Sequence, residues 1–202
     1  MLRSSDYLRV AIIDLTGKED PEVKTARLCL RRLRVEDAED VHLIRSRPEV
    51  MVYSYGLRPV KSGNQGNRLN KLQLLRLRNN HSTHAELDTR LPQPSRHNQR
   101  VIGLIGAVEA PEIGYLIHPD FWGCGPATEA LQAFMPLYWQ HFRTEFDFAT
   151  AQIDLDNGAS KKVLLKCGFS LEDRKVKGFE NPSLGLKDIE IHRLQRPEAV
   201  GQ

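Results

Sequence analysis

Cysteine is scarce in this chain and carries no pattern. Three thiols, Cys29, Cys124 and Cys167, stand in 202 residues without C-x-x-C spacing; an odd count so placed suggests neither a disulfide framework nor a zinc cluster. Long apolar runs are missing too. The longest near the start covers residues 10–13, far short of a signal-peptide core, and no segment approaches the roughly 18 residues of a membrane span. Arg3 with Ser4 and Ser5 would suit an organelle leader, but Asp6 and Asp14 oppose one. A cytoplasmic protein with reduced thiols and no membrane contact is expected. His81 and His84 have the one-turn spacing of metal ligands, yet no Cys or acidic cluster completes a set, so no metal is expected. Aromatic residues are absent from 56 to 100, although residues 55–100 hold nine Lys or Arg against two acids. Without stacking side chains that basic stretch makes a poor single-strand binder, and nucleic acid is not the expected partner.

What is present describes an ordinary globular domain. The apolar share is 40%, the charged share 27% and the net charge +3, values typical of a soluble fold of one large domain. Residues 1–24 are mixed in polarity and read as an N-terminal extension, 25–195 as a single domain, and 196–202 as a tail. A first strand is expected over 25–34, where Leu28 and Leu30 alternate with Arg27, Cys29 and Arg31. Glu36, Asp37 and Asp40 load the first turn of a helix that buries Val41 and Ile44 and stops before Pro48. Residues 49–55 read as a turn. Helical spacing returns at Leu69, Leu72 and Leu75, and 79–100 reads as a long loop.

Beyond that loop the pattern sharpens. Residues 101–108 and 112–118 form an antiparallel hairpin, and 126–141 a helix with Pro126 in its first turn. A strand over 146–155, a helix over 158–166 closed by Gly168, and two last strands near 169–177 and 184–194 complete an α+β (mixed α/β) layer around one sheet.

Chemistry concentrates where the second of those hairpin strands enters the helix. The run Glu112-Ile113-Gly114-Tyr115-Leu116-Ile117-His118 leads into Phe121-Trp122-Gly123-Cys124-Gly125-Pro126-Ala127-Thr128. Glycines at 123 and 125 permit positive φ and close approach of a ligand, and consecutive amides there point out at the positive end of a helix. Such a turn holds phosphate groups.

This block, together with Thr25-Ala26-Arg27-Leu28, Ser46-Arg47-Pro48-Glu49-Val50, Val101-Ile102-Gly103 and the stretch from Asn157 through Ser160 to Gly168-Phe169, resembles the GNAT superfamily of N-acetyltransferases, and in particular its ribosomal-protein alanine N-acetyltransferase branch. The resemblance implies a central, mostly antiparallel sheet flanked by helices and splayed between the strand ending near His118 and the strand over 146–155. It implies acetyl-CoA as co-substrate, with backbone groups of Leu116 and Ile117 on the pantetheine arm. Amides of Trp122, Gly123, Cys124, Gly125, Ala127 and Thr128 would lie on the pyrophosphate, and Asn157 and Ser160 on the opposite wall, where helix capping is the plainer role for Asn157. Two residues depart from that pattern: Asp120 stands where a basic or glutamine residue is usual, and Pro126 removes one amide donor.

An amine attacking a thioester must first be neutral, so a proton acceptor is needed. Glu112 is the leading candidate and Glu109 the second; Tyr53, Tyr55 and Tyr115 are candidates for lining the acceptor pocket or protonating the departing thiolate, with plain packing the bland alternative. Cys124 has no histidine partner, and direct transfer needs no nucleophile. The function expected is acetyl transfer from acetyl-CoA to a primary amine of a small molecule or a protein N-terminus, with self-association as a homodimer left open. A GNAT-fold binding protein without turnover, and a ribosome- or RNA-associated protein using the basic stretch, are the competing readings.

Overall fold

The computed structural model describes residues 8–13, 22–54, 100–181 and 184–198. Tyr55, the expected helix around Leu69, the expected loop over 79–99 and the histidines at 81 and 84 lie outside the described residues.

The strands are β1 (Leu8–Ile13), β2 (Glu22–Lys24), β3 (Leu28–Arg32), β4 (Val101–Glu109), β5 (Glu112–Ile117), β6 (Phe148–Asp154), β7 (Ser170–Asn181) and β8 (Gly185–Gln195). They form one sheet in the order β2-β3-β1-β4-β5-β6-β8-β7. Pairing is antiparallel for β2–β3, β4–β5, β6–β8 and β7–β8, and parallel for β1–β3, β1–β4 and β5–β6. The fold is the mixed α+β layer that the pattern predicts.

Helices cover both faces. α1 (Ala38–Arg45) and α2 (Pro48–Met51) lie on one face, where Val41, Ile44 and Val50 pack with Ala11, Val101 and Leu104. α3 (Pro126–His141) and α4 (Gly158–Lys166) lie on the other. There Ala130, Leu131, Phe134 and Tyr138, spaced for one helical face, meet Val10, Ile12, Leu28, Leu30 and Ile113. Period-2 alternation therefore sends Val10 and Ile12 to α3, and Ala11 to α1.

Three readings need correction. Strand one is not 25–34: Leu8–Ile13 precedes it and inserts between β3 and β4. The short apolar run of residues 10–13 is therefore a central strand with both faces covered, a pattern of continuous rather than alternating hydrophobicity. Covering both faces also overrides the alternation expected in β3, where Cys29 and Arg31 are buried beside Leu28 and Leu30. Arg31 tolerates burial because its guanidinium donates to both carboxylate oxygens of Asp37, each at 2.7 Å. Residues 49–55, expected as a turn, include the short helix α2, started by Pro48 in its first turn.

At the other end of the domain Arg196 donates to the carbonyls of Phe142 and Arg143 at 2.9 Å each, and to that of Phe146. These oxygens cluster where α3 ends, so the guanidinium serves as a C-cap for the long helix.

Candidate active site at the parting of two strands

Strands β5 and β6 run parallel but meet at one register position, Glu112 opposite Thr150, where the Thr150 N–H donates to the Pro111 carbonyl at 3.0 Å. Tyr138 of α3 fixes this closed end from below: its hydroxyl lies 3.2 Å from the Pro111 carbonyl and 3.3 Å from that of Phe148. Burial pushes the Tyr138 phenol up to about 12, which keeps it a neutral donor. Beyond Glu112 the strands part, and β5 continues to Ile117 paired, among the described residues, with β4 alone.

The β4–β5 register decides which backbone groups face the opening. His118 N–H donates to Ile102 O at 2.8 Å, and Leu116 stands opposite Leu104. An antiparallel ladder alternates, so His118, Leu116 and Gly114 spend their backbone groups on β4, and Ile117 and Tyr115 direct theirs at the opening. Leu116, expected to offer backbone groups to a ligand, directs them at β4 instead, and it is those of Tyr115 and Ile117 that face the opening. The Ile117 carbonyl accepts a 2.7 Å hydrogen bond from the Trp122 indole, which folds the turn back against the strand end.

Side chains sort by face. Ile113 and Tyr115 point to α3 and α4, and the Tyr115 hydroxyl donates to the Ser160 carbonyl at 3.3 Å. Burial raises that phenol to about 12. Tyr115 is therefore a packing residue that ties β5 to α4 under the opening. Glu112, Gly114 and Leu116 point to the opposite face, and Leu116 packs with the α1–α2 cluster. Glu112 is half-buried, and its Oε2 accepts from Gln152 Nε2 at 2.7 Å.

The turn after β5 has the geometry that its glycines predict. Gly123 and Gly125 have φ of 75° and 87°, in the left-handed region. Gly125 is the N-cap of α3, with no side chain capping the helix and Pro126 at its first position. Pro126 brings no N–H, so the amides of Gly125, Ala127 and Thr128 remain as the donors of the first turn. A Cβ placed on Gly123 meets nothing within 4 Å, so the outer side of the turn is open. Trp122, Gly123, Cys124 and Gly125 are exposed, with Ala127 and Thr128 half-buried behind them. Asp120, the unexpected acid, is turned toward His118, its Oδ2 3.6 Å from Nδ1. The turn's donor set suits a phosphate.

The remaining expected residues fall around this opening. Asn157 caps α4, its Oδ1 accepting from Ser160 N–H at 3.0 Å. Tyr53 follows α2, half-buried, next to Val52, whose carbonyl accepts from the buried Asn181 Nδ2 at 3.0 Å and so binds the end of β7 to α2. Glu109 is exposed beyond the closed end.

Residues that the sequence reading left without a role also meet here. Arg27, in the corner between β2 and β3, reaches over the glycine turn: Nη1 donates to the Cys124 carbonyl at 2.8 Å, and Nε to Glu129 Oε2 at 2.7 Å. The Glu129 Oε1 accepts from the Arg27 N–H at 2.9 Å and from the Thr25 hydroxyl. Burial would raise the Glu129 carboxyl, but these hydrogen bonds and the Arg27 charge outweigh it and hold it below its ordinary value. Gln152 likewise has no motif of its own. Its partner is set by sheet register across 40 residues of sequence.

Among the described residues no group of three or more His, Cys, Asp or Glu is placed to hold a metal ion, and no helix is long and apolar enough to cross a membrane. A search of curated proteins finds no match. Among solved structures, an acetyltransferase of the GNAT family from Bacillus anthracis superimposes with a TM-score of 0.60 at 19% identity, covering 87% of this chain and 98% of that one. A ribosomal-protein-S5-alanine acetyltransferase from Vibrio fischeri does so with a TM-score of 0.58 at 18% identity, over 89% and 98% respectively. Identities this low establish a shared fold. The family model for the acetyltransferase (GNAT) domain matches residues 27–170, the span from the arginine above the glycine turn to the start of β7, and the chain belongs to that family.

Proposed function

We propose that the chain transfers an acetyl group from acetyl-CoA to a primary amine, of a small molecule or a protein N-terminus, by direct attack. The observation that carries this reading is the opening between β5 and β6 with two positive-φ glycines at one end and a carboxylate at the other. From Ile117 back to Glu112 is five residues of strand, about 17 Å at ~3.4 Å per residue. An extended pantetheine arm has a comparable reach. Amides of Gly125, Ala127 and Thr128 then hold the pyrophosphate, with Trp122, Gly123 and Cys124 forming its rim and Asn157 and Ser160 the far wall. The Ile117 and Tyr115 backbone groups accompany the arm.

At the closed end Glu112 takes a proton from the incoming amine, directly or through water, while Gln152 holds the carboxylate in place. The amine nitrogen bonds to the acetyl carbonyl carbon, the carbon–sulfur bond breaks, and coenzyme A departs as a thiolate that takes up the proton shed by the acylated nitrogen. Negative charge developing on the carbonyl oxygen meets a strand N–H already fixed by the sheet, so little reorganisation is required. Tyr53, beside the Val52–Asn181 link, lines the entry for the amine.

A thiol-release assay over a panel of amines and N-terminal peptides tests this. Amine-dependent release that disappears in Glu112→Gln supports it. A chain that binds coenzyme A but releases no thiol across the panel is a binding protein of the same fold.

A further inference from the structure

We propose that Arg27 is a positioning residue for the phosphate turn, fixing the Cys124–Gly125 peptide so that the Gly125 amide faces the ligand; this rests on the acetyl-CoA reading above. Two observations set the geometry. Arg27 Nη1 donates to the Cys124 carbonyl at 2.8 Å. The peptide joining Cys124 to Gly125 is trans, since the one cis bond among the described residues is Ala110–Pro111, and in a trans peptide the C=O and N–H point in opposite directions. Pulling the carbonyl to the β3 side therefore aims the Gly125 N–H away from β3, toward the open side of the turn.

Left to itself this peptide has little to hold it. Glycines at 123 and 125 bracket Cys124, and each has φ values that only glycine adopts freely, so the plane can rotate with small penalty. A rotated plane would present a carbonyl oxygen to phosphate where a donor is required, in a first turn already one donor short at Pro126. The carboxylate of Glu129 completes the device: it takes Nε and Nη2 of Arg27 at 2.7 Å each, and the Arg27 N–H at 2.9 Å. Glu129 stands in the first turn of α3, so the helix whose amides bind phosphate also holds the arginine that orients the turn. The guanidinium also lies close to Gly125 itself, 3.4 Å from where a Cβ would stand.

A cation that merely attracts phosphate would behave differently, and substitutions separate the two by sign. Coenzyme A affinity is measured by titration calorimetry on the full chain for wild type, Arg27→Met, Arg27→Lys and Glu129→Gln, with circular dichroism and melting confirming that each is folded. The positioning role predicts about tenfold weaker binding in Arg27→Met, nearly the same loss in Arg27→Lys, whose single ammonium cannot hold both Cys124 and Glu129, and a loss in Glu129→Gln as well. KM for acetyl-CoA rises in parallel while kcat falls by less than about threefold. Wild-type affinity in Arg27→Lys, or tighter binding in Glu129→Gln, assigns Arg27 to charge attraction and overturns the proposal with the acetyl-CoA reading intact. A wild-type chain that takes up no coenzyme A ends both.

Discussion

The Glu112 carboxylate accepts a 2.7 Å hydrogen bond from the Gln152 amide across the closed end of the β5–β6 opening. The pair is the side-chain link between two strands whose backbones meet at a single register position. An amide donor favours the ionised form of the carboxylate and orients it. Replacement of Glu112 by Gln preserves shape and hydrogen bonding to strand neighbours but cannot take a proton. The expected loss in kcat is about 10²- to 10⁴-fold, the range of general-base contributions, with coenzyme A affinity unchanged by calorimetry. Gln152→Ala, which removes this donor and leaves the carboxylate in place, is expected to lower kcat by about tenfold.

The two turn glycines differ in how they resist substitution. A Cβ on Gly123 meets nothing within 4 Å, and one on Gly125 meets only the tip of Arg27 at 3.4 Å. The cost of alanine at either site is therefore the left-handed backbone alone, roughly 1–2 kcal/mol. Each single alanine variant should fold. Paired valines should fold less well and also fill the ligand side of the turn. Coenzyme A at a hundred times its dissociation constant raises wild-type stability by about 2.7 kcal/mol, and that rise in melting temperature should vanish in Gly123→Val/Gly125→Val. An undiminished rise would place the phosphates elsewhere.

Much of this arrangement is legible in the sequence, and the part that is not has a physical cause. The α3 boundaries, the α4 cap at Asn157 and the positive φ of Gly168 follow from local signals: proline in a first turn, a polar N-cap, a glycine past the last turn. β1 escapes those signals because a central strand covered on both faces shows no alternation, and six residues are too few to separate strand from helix. The choice between Leu116 and Ile117 as the residue facing the opening depends on register, and a one-residue shift reverses it. Arg27 and Glu129 lie 102 residues apart. No window of sequence shows that they touch.

Acid stability should trace to Glu190, which is fully buried between Lys161 Nζ and Arg174 Nη2, each 2.9 Å from Oε1, with His192 Nε2 3.0 Å from Oε2. Burial alone would raise this carboxyl, but the hydrogen bonds from Lys161 and His192 and the charges of Lys161 and Arg174 outweigh it and bring it down to about 2. A folded value below the ordinary 4.5 means that the ionised form stabilises the fold above that pH, and that the contribution is lost as pH falls toward 2. Glu190→Gln should cost on the order of 3 kcal/mol at pH 7 by leaving two cations facing a neutral group, some 6–12 °C in melting temperature for a chain of this size. The gap between wild type and variant should narrow below pH 4.5 and close near pH 2. A gap independent of pH would show that the network contributes by packing and not by charge.

Gly103 sets how closely β4 carries β5, and through it the position of the Ile117 backbone. A Cβ at this position would lie 2.7 Å from the Leu116 carbonyl oxygen and 2.5 Å from Ile117 Cδ1. The side-chain contact can yield by rotation, but the backbone oxygen can move only with the strand. Gly103→Ala should therefore do two things: lower stability by about 1–3 kcal/mol, as overpacking does, and push the end of β5 toward the opening, weakening coenzyme A binding. Ile117→Val alone should cost about 0.5–1.5 kcal/mol. In Gly103→Ala/Ile117→Val the missing Cδ1 relieves the nearer of the two clashes, so the stability losses should fall short of additive by about 0.5 kcal/mol or more. Coenzyme A affinity, tied to the Leu116 carbonyl and the strand it belongs to, should stay as weak as in Gly103→Ala. Recovery of affinity along with stability would mean that the Ile117 side chain, and not the placement of the β5 backbone, governs this end of the site.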